Sequence, residues 1–126
     1  MIPMDYFLIG REGWSLSEQE FIQFLTARWH SATIKPVDIP GGSRSVDFRI
    51  RMSESSIEEH FNLEGSTVVF YGAIRDCAEF ALWYQTSMPE GRPFLLFDEG
   101  YNHSLELRSE TTVEDIIRAL HGAPQA

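Results

Sequence analysis

Residues 45–52, SVDFRIRM, constrain the fold more than any other segment. Val46, Phe48, Ile50 and Met52 alternate with Asp47, Arg49 and Arg51. That period of two is the pattern of a strand with one apolar and one wet face. A strand wet on one side belongs to an antiparallel sheet that is covered on the other.

The remaining segments read outward from that strand. DYFLIG (5–10) is a short buried strand, and ATIKPVDI (32–39) is a strand that Pro36 places at an edge. IEEHFNL and STVVFY flank Glu64-Gly65 as a hairpin, and RPFLLFDEG is a central strand with SLELRS paired to it. Three segments carry helical periodicity. In the first, about 18–30, Ser17 and Glu20 form a capping box, Leu16 and Phe21 a hydrophobic staple, and Phe21, Ile22, Leu25 and Trp29 one face. The second, AIRDCAEFALWYQTSM, is closed by Pro89. The third has a capping box at Thr111 and Glu114, an apolar stripe Val113, Ile116, Ile117 and Leu120, and Gly122 as its end, with APQA as a frayed tail. The expected fold is one α+β domain over residues 1–126: a mixed, mostly antiparallel sheet of six or seven strands with three helices mainly on one face.

Charge narrows the partners. Nineteen acidic residues against ten basic ones give a net charge of −9, and Lys35 is the only lysine. Such a field repels nucleic acid and anionic membrane and favours basic partners. The N-terminal MIPMDYFLIG has no early Lys or Arg, unlike a secretory signal. No apolar run approaches the ~18 residues that cross a bilayer. A lone Cys77 forms no internal disulfide, so the expected location is the cytoplasm.

No phosphate loop, nucleophile elbow, HExxH or cysteine pair occurs, and His30, His60, His103 and His121 lack metal-ligand spacing. No metal or cofactor is implied. Two clusters draw attention. FDEGYNHSLEL places Asp98, Glu99, Tyr101 and His103 within six positions, as an acidic turn that binds a partner, a plain hairpin loop, or a catalytic site. Asp98 and Glu99 are adjacent, so in a strand they face opposite ways and make no carboxylate pair. In the second helix, Ile74, Cys77, Ala78, Ala81, Leu82 and Tyr84 share a face, with Phe80 at its border. Trp83 falls opposite, with Asp76 and Glu79, as an interface anchor or under another element. Cys77 reads as a core residue whose thiol neighbouring acid pushes up. Arg49 and Arg51 are expected to pair across strands with a carboxylate such as Glu59.

A small, acidic, aromatic-rich α+β chain with RDCAEFALWYQ…FDEGYN and no catalytic motif resembles the immunity proteins of bacterial polymorphic and contact-dependent toxin systems. The resemblance implies a non-catalytic inhibitor that binds a basic toxin domain inside the producing cell. Asp76, Glu79, Trp83, Asp98, Glu99 and Tyr101 are then the expected partner-binding residues. The alternatives are a homo-oligomeric subunit such as a homodimer, a small-molecule-binding protein, or a small hydrolase using Asp98, Glu99 and His103.

Overall fold

The computed structural model of the chain describes residues 4–10, 16–36, 44–53, 55–62, 67–87, 94–100 and 103–120. The loop at Glu64-Gly65, the stop at Pro89, Tyr101, the helix end at Gly122 and the APQA tail lie outside the described residues. In chain order the elements are β1 (Met4–Gly10), α1 (Glu18–Arg28), β2 (Thr33–Pro36), β3 (Arg44–Arg51), β4 (Ser56–Asn62), β5 (Thr67–Gly72), α2 (Ile74–Ser87), β6 (Phe94–Asp98), β7 (Ser104–Leu107) and α3 (Val113–Leu120). This is the order expected from the periodicities.

The seven strands form one sheet in the order β2-β3-β4-β5-β1-β6-β7. Every described pairing is antiparallel, so the sheet is not mixed. The N-terminal strand lies inside it, between β5 and β6. β1 and β2 therefore run the same way, as do β5 and β6. Their connections through α1 and α2 are crossovers that step in opposite directions from oppositely directed strands. Right-handed crossovers of that kind put both helices on the same face, and residues of α1, α2 and α3 do share one buried cluster.

Alternation sorts the sheet residues as the sequence implies. Val46, Phe48 and Ile50 are buried against the helices, with Arg49 and Arg51 exposed on the other side. Tyr6 and Leu8 of β1, Val68 and Phe70 of β5, and Phe94 and Leu96 of β6 join the same core. Pro36 lies in β2, the edge strand, the place in a sheet where proline is tolerated.

Capping holds two of the helices in place. Ser17 accepts from the Glu20 backbone N–H at 3.1 Å, and the Glu20 carboxylate accepts from the Ser17 backbone N–H at 3.2 Å. Leu16 and Phe21 are both buried in the core. In α3 the box is one residue later than expected: Thr112 and Asp115 exchange the two bonds at 3.1 and 3.0 Å. Thr111 instead accepts from the Arg108 N–H at 2.8 Å. The Thr112 bonds hold the Asp115 carboxyl below its ordinary range.

α2 is buried nearly all round, with Phe80 at its centre. Sheet residues lie beneath it, Trp29 at the C-cap of α1 stacks on Phe80, and α3 is tied to it by Arg75–Glu114 at 3.1 Å.

Gly72 ends β5 where a side chain has no room. A Cβ there would lie 2.5 Å from the Cδ1 of fully buried Ile57, 3.2 Å from Ser55 Oγ and 3.3 Å from the Ser56 carbonyl oxygen. Gly72→Val is expected to lose about 1–3 kcal/mol through overpacking. Urea unfolding checks it, with a lowered midpoint and an unchanged slope.

Candidate functional site

One end of the sheet gathers the start of β1, the ends of β5 and β6, the β3–β4 turn and the first turn of α2. Several of the residues singled out from sequence meet there, but mostly as structural groups.

Asp76 is fully buried, not on an exposed helix face. Ser55, from the β3–β4 turn, donates to its carboxylate at 2.8 Å and accepts from the Ala73 N–H at 3.1 Å. The pair acts as a cap brought from another part of the chain, and a carboxylate in a first helical turn is favoured by the free N–H groups there. Cys77 is 2% exposed, as its place on the apolar face implies. Burial pushes its thiol up, and Asp76 and Asp5 add to the effect. Burial also raises the Tyr6 phenol, with Cys77 and Asp98 contributing.

Asp98 is likewise buried, at 5% exposure, and so is not part of an acidic surface. One carboxylate oxygen accepts from the His103 backbone N–H at 2.9 Å, and the other lies 2.8 Å from His103 Nδ1. The Asp98 N–H donates to the His103 carbonyl at 3.1 Å, and Gly100 supplies the left-handed φ of 89° that the turn between them needs. An Asp that fixes a histidine through Nδ1 is also the geometry of a hydrolase dyad. The nearby thiol and phenol, however, are both shifted away from nucleophilic activation. Both Asp98 oxygens are engaged in closing the turn.

Trp83 is half-buried. Its ring meets Trp29 edge-on at 4.7 Å and Phe80 at 5.5 Å, so the end of α1 supplies the cover that helical periodicity alone leaves open. Glu79 is exposed on the outer side of the helix layer, and Glu99 is exposed at the end of the sheet. Asp76, Glu79, Trp83, Asp98 and Glu99 therefore do not form one surface, and Tyr101 lies outside the described residues.

The sheet face away from the core cluster builds a different constellation. One row of facing residues runs Thr33, Arg49, Glu58, Tyr71, Asp5 across β2, β3, β4, β5 and β1. Glu99 continues it, its N–H donating to the Asp5 carbonyl at 3.1 Å. Arg49 bonds Glu58 at 3.3 Å, so its partner is the residue before the expected Glu59. Cross-strand register selects Glu58, which stands directly opposite.

Tyr71, 40% exposed, is the exposed large hydrophobic residue among those described. It stands between Glu58 and Asp5 with a third carboxylate, Glu99, one strand further. Asp5 Oδ1 is enclosed and accepts no hydrogen bond. At ~4.8 Å per strand, the four positions span ~15 Å. Beside Tyr71 the face is hollowed over about 420 Å3, lined toward the edge by Lys35, Asp47, Arg49, Glu59 and His60. His60 Nδ1 and the Glu59 carboxylate are 3.7 Å apart.

The sequence reading missed Tyr71. The signal was present: Val68 and Phe70 face inward, so Tyr71 must face out. The apolar run VVFY hides that alternation. No group of three or more His, Cys, Asp and Glu suited to a metal ion occurs among the described residues, and no helix among them is long and apolar enough to cross a membrane. Comparison with family models, curated proteins and solved structures gives no match.

Because Asp98 serves the turn, Asp98→Ala is expected to cost about 1–3 kcal/mol of stability by leaving its donors unmatched. Chemical denaturation measures the loss, and amide exchange at His103 should accelerate. Full wild-type stability in this variant would remove the turn-closing role.

Proposed function

We propose that this protein is a non-catalytic binding module that holds a basic protein partner, in the manner of an immunity protein neutralising a basic toxin domain. The observation that carries the reading is the row Glu58–Tyr71–Asp5–Glu99. It offers an exposed ring among carboxylates, on a chain of net charge −9. Long-range attraction by such a surface raises the encounter rate with a cationic protein. An exposed aromatic then supplies contact area once the partner has arrived.

Self-association draws less support. A dimer face needs a contiguous exposed apolar patch, whereas Tyr71 has charged residues opposite it on both neighbouring strands, and in the apolar row beside it Val69 and Phe97 are already buried.

The tagged protein purified from its native cells is expected to bring down a basic protein in equal amount. With that protein in hand, Glu58→Lys combined with Glu99→Lys should slow association about tenfold at low ionic strength. The difference should shrink as salt shortens the Debye length to ~3 Å at 1 M. Stopped-flow kinetics reads both effects. A neutral or acidic partner, or association rates equal in variant and wild type, would overturn the reading.

A further inference from the structure

We infer that the hollow beside Tyr71 receives an extended segment of the basic partner, with an arginine of that segment laid on the Tyr71 ring. The inference rests on the binding-module reading and names the part of the partner that this face fits.

Three groups around the hollow have capacity to spare. The Tyr71 side chain makes no ring contact or hydrogen bond among the described residues, and its main chain is held in a central strand. Glu58 gives one carboxylate oxygen to Arg49, and the other is unengaged on a side chain that is 48% exposed. Lys35, exposed on the edge strand, makes no ion pair among the described residues. Carboxylates stand opposite the ring on both neighbouring strands, Glu58 on one side and Asp5 on the other, and so favour a cation over it.

A guanidinium suits this arrangement better than an ammonium. It is planar, so it can lie on the phenol ring while its edge donates to the free oxygen of Glu58, and it sheds water more easily. Lys35 stands three strands from Tyr71 and two residues further along, in the row Lys35–Asp47–His60–Val69, so the separation is ~16 Å. An extended chain covers that distance in about five residues at ~3.3 Å each. The geometry thus fits an arginine followed about five positions later by a carboxylate for Lys35. Arg49, already committed to Glu58, forms the floor between the two.

The probe is the peptide acetyl-Gly-Arg-Gly-Gly-Gly-Gly-Glu-Gly-amide, titrated into the full chain labelled with nitrogen-15. Shift changes are expected at Lys35, Glu58 and Tyr71. Replacing the peptide arginine by citrulline, which is isosteric and neutral, should abolish them. Tyr71→Ala should weaken binding about fivefold, consistent with loss of a cation–π contact, while Tyr71→Phe, which keeps the ring, should hold it near wild type. Tyr71 is exposed, so the variants should remain folded, and their spectra verify it. Shift changes scattered over other acidic surface, equal binding of the citrulline peptide, or no binding at millimolar peptide would overturn the inference. The two proposals fail separately. If wild type and Tyr71→Ala recover the same basic protein with equal affinity, the module reading stands and the assignment of the hollow falls.

Discussion

The Phe80 ring holds the two layers together. Within 6.2 Å of its centre lie the rings of Phe48 from β3, Phe70 from β5, Trp29 from the end of α1, and Trp83 and Tyr84 from its own helix. Phe21 of α1 extends the network by stacking on Phe61 at 4.4 Å and meeting Phe48 at 5.4 Å. Aromatic pairs in these geometries contribute ~0.5–1.5 kcal/mol each beyond area burial. With two crossovers placing both helices on one face, this network is concentrated on that face. The other side of the sheet is left to a different task.

The division of labour explains why carboxylates of similar appearance in the sequence have different roles. Asp76 and Asp98 lie on the helix side or at its margin, where desolvation makes an unpaired charge costly. Each is accordingly met by donors, Ser55 for one and His103 for the other. Glu58 and Glu99 lie in solvent, where no such requirement exists, and their charge remains available at longer range.

Element order, the edge position of β2 and the capping of α1 were legible because each depends on local spacing. The α3 box was misplaced by one because TTVED offers two overlapping frames, and only backbone geometry selects Thr112 with Asp115. Asp76 was misread as exposed because a single-helix projection assumes one covered side, whereas α2 is flanked by sheet, α1 and α3. Ser55 is 21 positions from Asp76, a separation that no motif encodes. Tyr71 is the informative miss. Its outward direction follows from alternation, but its meaning comes from Glu58 and Asp5, which only the strand order β4-β5-β1 brings to its sides.

That strand order also bears on the proposed binding by the row. Tyr71 is paired on both sides, to Glu58 and to Asp5, so the sheet fixes its main chain before any partner arrives. A partner engaging the ring would then restrict little more than its two torsions, a smaller entropic cost than ordering a loop of the same contact area. On the proposed reading, an aromatic ring in the middle of the sheet, with charge to either side, would separate a surface able to retain a cationic partner from one that is merely acidic.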